Sequence, residues 1–420
     1  MKAVDGVMSG ANDARSTDLA AELTGVFRAA IESFSLRQCV AKELPPLPPK
    51  QSRVRVVAVG KAAPEMMRGA LERWPGRIEK ALVVTVDGAD TTGFDGSNVD
   101  VRFAAHPYPD ERSVHSAMEA LDLARGLGER DLLLALISGG ASALVSLPPE
   151  GVHISQKAAL LRELLLSGAS IRDVNLVRRH FSRIKGGRLM EAAAPARVLT
   201  LAVSDVIGGG LHDIGSGPSV ADPTTLEQAR EVLDRFAPAH RDAELSESVK
   251  PNAGVRWRAR LVAGPEQFGA HLRDLLMAKG FQCRLLQAEE GDAAATARRR
   301  AEQAAALERG EALVIPCEPT LHVAENAGRG GRAGWIALCT LMSLPDDAAV
   351  LCGATDGCDG SSGSAGACVG GALKKAVSDT QVSDALAAFN DAEVHEALGT
   401  SIAGRSTGLN FADVHIVARR

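Results

Sequence analysis

The chain has 420 residues, enough for two or three domains at roughly 150 residues each. Lysine and arginine total 47 against 52 acidic residues, a formal charge of −5, and aromatic residues make up only 3%. That balance argues against a nucleic-acid binder, which would carry a basic stripe and stacking surfaces.

A hydrophobic content of 45% with 24% charged residues suits a globular chain that can build its core without staples. The seven cysteines form no CxxC pair and read as reduced thiols of a cytoplasmic protein. The ten histidines show no HxxxH spacing, so no zinc site is expected. The opening MKAVDGVMSGANDARS lacks an apolar h-region and no apolar run approaches ~18 residues, so neither a secretory signal nor a spanning helix is expected.

In chain order, a helix is predicted over about 18–40, followed by a stiff connector, LPPLPPK at 44–50. Short apolar runs at 54–59 (VRVVAV), 81–86 (ALVVTV), 132–137 (LLLALI) and 198–203 (VLTLAV) read as buried strands. Helical patterns at 65–74, 110–127, 154–167 and 171–184 lie between them, which predicts a βαβ series and a mostly parallel sheet covered on both faces. The polar stretch 239–254 is the expected domain boundary. Beyond it, 257–263, 313–315 and 348–352 read as strands, and 271–279 and 293–308 as helices.

Four loops carry residues suited to phosphate. Gly60-Lys61 follows the first strand with Pro64 at a helix start, where free N–H groups and the macrodipole favour an anion. Ser138, Gly139, Gly140 and Ser142 leave the strand 132–137 as a backbone cradle. Asp205 stands at a strand end ahead of three glycines, a position for a carboxylate that holds Mg²⁺ or a substrate hydroxyl. Glu318-Pro319-Thr320, GRGGR at 328–332 with Arg332, and the aspartates Asp356 and Asp359 form the fourth group, the aspartates as candidate metal ligands. The basic run 175–188 reads locally as a solvated helical face.

Taken together, VAVGKAA (57–63), HPYPDE (106–111), SGGASALV (138–145), VNLVRRHFSRIKGGRL (174–189), SDVIGG (204–209), IGSGPSVADPTT (214–225), EPT (318–320), GRGGR (328–332), ATDGCDG (354–360), FND (389–391) and TGLNFAD (407–413) resemble the type II glycerate kinases, the glycerate 2-kinase or MOFRL family. The resemblance implies a Rossmann-like N-terminal domain over 18–245, a smaller α/β domain over 255–420 and an active site in the cleft between them. It implies phosphorylation of the 2-hydroxyl of D-glycerate or a related small hydroxy acid, with ATP and Mg²⁺ as cofactors. Lys61 and Arg332 are then the catalytic cations, Gly60, Ser138, Gly139, Gly140, Ser142, Asp205, Glu318 and Asp356 bind the nucleotide, and Asp205 and Asp356 hold the metal. Neither nucleic acid nor membrane is an expected partner, and a homodimer stays open.

The chain departs from the family pattern at Gly209, Cys317, Ala333, Trp335 and Gly363, positions expected to line the cleft. Those departures keep a second reading open, a non-catalytic nucleotide or metabolite binder. A third, a nicotinamide-dependent hydroxypyruvate reductase, has only the GxGxxA at Gly328–Ala333 to offer.

Overall fold

Six strands, β1 (Val54–Val59), β2 (Lys80–Val86), β3 (Val99–Ala104), β4 (Leu132–Ile137), β5 (Arg197–Val203) and β6 (Trp257–Ala263), pair in the order β3-β2-β1-β4-β5-β6. Every pairing in this sheet is parallel. The computed structural model describes residues 5–95, 98–324 and 326–420, with side chains from Asp18 onward. Within it the chain forms two compact units, Ser35–Ser204 with Gly209–Ala263, and residues up to Phe34 with Asp205–Gly208 and Gly264–Arg420.

The parallel sheet belongs to the first unit, and its strands are short apolar runs because both faces are covered. Val57, Val59, Leu133, Ala135 and Ile137 pack on one side with Ala117, Ala120 and Ala124 of the helix Glu111–Ala124. Their alternates Val56, Ala58, Leu134 and Leu136 are equally buried on the other side. The strands expected at 54–59, 81–86, 132–137 and 198–203 are all present. The strand at 257–263 is present too, but it pairs with β5 as the sixth strand of this sheet instead of opening the second one. β3 was not legible: its middle residues are only half-buried, as an edge strand allows, and its sequence VDVRFA carries two charges.

The second unit holds a mixed sheet of seven strands, β7 (Gln282–Leu285), β8 (Glu289–Asp292), β9 (Glu311–Thr320), β10 (Ala348–Ala354), β11 (Ser364–Gly370), β12 (Ser401–Ala403) and β13 (Asp413–Arg419). β7 and β8 run parallel to opposite halves of β9, whereas β13 lies antiparallel between β9 and β10. Ala293, Ala297, Leu313, Ile336, Val350 and Val417 share one core with the helices Ala293–Ala306 and Arg332–Leu341.

The N-terminal helix is not the single 18–40 segment expected. It ends at Ser33, and a second helix, Leu36–Glu43, starts at Ser35, whose hydroxyl accepts the Gln38 N–H at 3.3 Å. The first of these helices packs within the second unit, where Phe27 faces Gly353 of β10 and Phe34 stacks edge-on against Phe268 and Phe411. A Cβ on Gly353 would come within 2.8 Å of the Phe27 ring. Among the described residues no helix is long and apolar enough to cross a membrane.

Phe27 is 2% exposed, so Phe27→Ala opens a cavity against β10. It is expected to destabilise the second unit by about 3–5 kcal/mol, read from urea unfolding followed by circular dichroism.

Candidate active site

In the first unit, strand order reverses at β1 and β4, which pair directly with Val59 beside Ile137. The loops leaving the carboxyl ends of two such strands border the crevice where open α/β sheets place ligands. Gly60 makes the first loop possible. Its φ is +131°, and a Cβ there would be driven into the Ser138 hydroxyl and stand 2.7 Å from the Ser138 carbonyl. The loops are then stitched together: the Lys61 N–H donates to Gly139 O at 2.9 Å and the Ala62 N–H to Ser138 Oγ at 3.1 Å.

Lys61 precedes Ala62, the N-cap of the helix Ala63–Arg73, whose first turn has Pro64 and no side-chain cap. Its ammonium therefore adds to the positive end of that helix. Lys61 is exposed, and a Cβ on Gly140 would lie 3.3 Å from Lys61 Cγ and 3.2 Å from His106 Cδ2. The lysine, the glycine loop and His106 thus share one spot. Ser142 closes the loop, with its hydroxyl 3.1 Å from that of Ser216, a fully buried serine held at φ +59°. A non-glycine residue in that region is strained, a common mark of a functional site.

The basic run 175–188 is not the solvated face that local reading suggests. Arg179 is 2% exposed and ion-paired with Asp213 at 3.0 Å and Asp222 at 3.1 Å. Lys185 is buried and donates to the carbonyls of Ser142 and Val145, both at 2.8 Å.

In the second unit a cavity of about 910 Å³ is lined by Glu290, Glu318, Arg332, Asp356, Asp359 and Asp413, among others. Arg332 begins the helix Arg332–Leu341 and is gripped by Asp413, with Nε to Oδ2 at 2.6 Å and Nη2 to Oδ1 at 3.1 Å. This two-point pairing fixes the guanidinium plane and leaves Nη1 near the Pro319 carbonyl at 3.4 Å and Glu318 at 3.8 Å. Burial is the largest influence on Asp413 and pushes its carboxyl up, against the pull of Arg332. Burial also pushes Glu318 up, and Glu290 and Asp205 add repulsion, which places Asp205 within charge reach of Glu318 in the same unit.

The sequence reading missed Asp413 and Asp391, and it misjudged Asp359. Instead of offering its carboxylate to a metal, Asp359 caps the helix, accepting the Ala333 N–H at 3.0 Å and the Gly334 N–H at 2.8 Å. Asp391 takes the Gly331 N–H at 3.4 Å. Gly330, Gly331 and Gly334 make room for these acids, since a Cβ on Gly330 or Gly334 would overlap the Asp391 carboxylate and one on Gly331 that of Asp359. With its amides so engaged, the GxGxxA segment has no helix start to offer a dinucleotide's pyrophosphate. Among the described residues no three His, Cys, Asp or Glu side chains gather as a metal cage. The oxygen donors of Asp205 and Asp356 do suit a hard divalent cation that also binds phosphate.

The five departures from the family pattern, Gly209, Cys317, Ala333, Trp335 and Gly363, are not part of the lining of the Arg332 cavity. Cys317 and Ala333 are buried, and Trp335 turns into the core with its Nε1–H on the Leu386 carbonyl at 3.0 Å. Gly363 and Gly209 are exposed turn residues.

Two outcomes check this geometry. Gly60→Ala is expected to cost at least about 1–3 kcal/mol of stability through strain and collision with Ser138, seen as a lower Tm. Asp391 gives a pH signature: burial and Asp359 push its carboxyl up to about 7. The unfolded chain releases that proton near ~3.9, so the fold is favoured at low pH and loses this contribution as pH rises towards 7. Asp391→Asn is therefore expected to be more stable than the parent by about 2–4 kcal/mol at pH 8, with the gap closing towards pH 4, by calorimetry.

Comparison with known proteins agrees with this layout. Residues 22–250 match a family described as a domain of unknown function, DUF4147, and residues 311–413 match the MOFRL family. A D-glycerate 2-kinase of Thermotoga maritima is 35% identical over 367 residues, covering 83% of this chain and 86% of its own. A protein of Agrobacterium vitis named for a provisional hydroxypyruvate reductase activity is also 35% identical, over 83% of this chain and 82% of its own. The crystal structure of glycerate kinase from Thermotoga maritima superposes with a TM-score of 0.86 at 30% identity, over 96% of this chain and all of that one. The chain belongs to the glycerate kinase family that joins a DUF4147 domain to a MOFRL domain.

Proposed function

We propose that the protein is an ATP-dependent kinase that transfers the γ-phosphoryl group of ATP to the 2-hydroxyl of D-glycerate, releasing ADP and 2-phosphoglycerate. The observation that carries this reading is Lys61, set at the sheet's switch point beside the Ser138–Ser142 loop, in a chain 35% identical over 83% of its length to a D-glycerate 2-kinase. Phosphoryl transfer needs positioning and charge neutralisation more than covalent chemistry. Lys61 supplies a full positive charge at a helix start, where the nucleotide's terminal phosphates gain most from it. Gly60 lets the loop pass Ser138 and Gly140 leaves room beside Lys61 and His106, with Gly139 between the two strand ends as a backbone contact for phosphate, and Ser138 and Ser142 hold the loop in shape.

Arg332 is the second cation of the reaction. Its grip by Asp413 means that little orientation has to be found at the moment of transfer. Asp205 and Asp356 would hold Mg²⁺, with Glu318 as a further contact to the nucleotide complex. When bound, Mg²⁺ neutralises charge on the phosphates, and it commonly takes one or two protein carboxylates besides the phosphates themselves.

Purified protein with Mg-ATP and D-glycerate is expected to form ADP and 2-phosphoglycerate, followed by phosphorus NMR. Lys61→Ala and Arg332→Ala are each expected to lower kcat by roughly 10²- to 10³-fold while leaving the fold intact. Full activity in Lys61→Ala overturns the mechanism. ATP binding without turnover across a panel of hydroxy acids overturns the kinase reading in favour of a non-catalytic binder.

A further inference from the structure

Three cations in the first unit have no acidic partner. Among the described residues no carboxylate lies within ion-pair distance of Lys157, Arg178 or Lys185, although Lys157 is 0% and Lys185 1% exposed. Lys185 spends its ammonium on two carbonyls of the loop that follows β4. Lys157 Nζ has no hydrogen-bond partner among the described residues. Arg178 uses one of its five N–H donors among the described residues, on Asn175 Oδ1 at 3.0 Å. Arg179, its neighbour on the same helix, shows what a structural arginine looks like, with a carboxylate at 3.0 Å and another at 3.1 Å.

The cluster is wired to the loop that carries the candidate site. Asn175 Oδ1 lies 3.5 Å from the Ser216 hydroxyl, which lies 3.1 Å from that of Ser142. Ser142 and Val145 in turn hold Lys185. We propose that Arg178, seated by Asn175 and backed by Lys185 and Lys157, receives an oxyanion of the substrates, either the carboxylate of the hydroxy acid or a phosphate of the nucleotide. The inference rests on the kinase reading for the identity of that anion.

The physical argument is one of uncompensated charge. Burying an unpaired cation is costly unless it loses its proton or gains an anion. The lysines can follow the first route: burial, with Arg178 and Arg188 adding repulsion, brings Lys157 down to about 7, and burial holds Lys185 well below its ordinary value. Arg178 cannot follow, because a guanidinium stays charged in proteins. Its planar fork is the right partner for a carboxylate or phosphate edge. The cost in the empty protein is repaid on binding, the usual relation between a functional site and stability.

Kinetics and thermal unfolding of full-length Arg178→Gln and Arg178→Lys test this. KM for one substrate is expected to rise roughly 10- to 100-fold in Arg178→Gln, with Arg178→Lys between it and the parent. The ligand-free Tm of Arg178→Gln should be unchanged or higher, because an uncompensated charge has gone, whereas a purely structural arginine would lower it. A rise confined to D-glycerate identifies the carboxylate, and one confined to ATP identifies a phosphate. Unchanged KM for both, or a lower ligand-free Tm without a KM effect, overturns the proposal. Inorganic phosphate separates this inference from the kinase reading. If the parent makes no 2-phosphoglycerate yet phosphate raises its Tm and not that of Arg178→Gln, the kinase reading falls and the oxyanion seat stands. Equal stabilisation of both proteins by phosphate removes the seat and spares the kinase.

Discussion

The direct pairing of β1 with β4 is the constraint on which the first unit depends. Two parallel strands side by side must end at the same edge of the sheet, so the segments that follow them compete for one small volume. That competition is settled by a missing side chain at Gly60 and by the Ser138 hydroxyl, which takes up an amide that the helix cannot satisfy. Everything the site offers to an anion follows: an exposed lysine at a helix start, a glycine loop bonded to its backbone N–H at 2.9 Å, and behind it the pair Ser142–Ser216, with Ser216 at a strained positive φ. The order β3-β2-β1-β4-β5-β6 is therefore a statement about chemistry as much as architecture.

The second unit solves a related problem with carboxylates. A helix that begins at Arg332, the last residue of GRGGR, needs its first N–H groups satisfied, and Asp359 and Asp391 do this from segments far along the chain. Two acids so close cannot both ionise comfortably. Burial pushes the Asp359 carboxyl up against the pull of the two amides it accepts, while Asp391 has one oxygen with no hydrogen-bond partner among the described residues and is pushed up to about 7. The same helix start carries Arg332, whose orientation Asp413 sets from β13. Glycines that resemble a dinucleotide fingerprint on paper are spacers for acids in the fold.

The division of labour between the two kinds of arginine in the basic segment is instructive. Arg179 has two carboxylates and belongs to the framework, whereas Arg178 has a single amide oxygen and keeps its charge available. Nothing in the run VRRH distinguishes them. Adjacent residues on a helix point about 100° apart, so Arg179 meets acids 34 and 43 residues along the chain while Arg178 meets Asn175 of its own helix. The same holds for the departures from the family pattern, of which Cys317 and Ala333 are buried while Gly209 and Gly363 are exposed.

The amino-acid sequence by itself determined the parallel sheet and the loops that follow β1 and β4. Buried strands are short apolar runs and their turns carry glycine within the next few residues, so both signals are local. Lys61, Gly60 and Ser138–Ser142 were legible for that reason. Only the tertiary structure decided that 257–263 completes the first sheet, that the N-terminal helix breaks at Phe34-Ser35, that Asp413 is the partner of Arg332, and that Asp359 caps a helix. Each of these depends on which distant segment arrives at a given edge or end, as with Arg332 and Asp413, 81 residues apart. Hydrogen bonds and ion pairs act over a few ångströms of space, whereas a pattern in the chain reports only on neighbours along it.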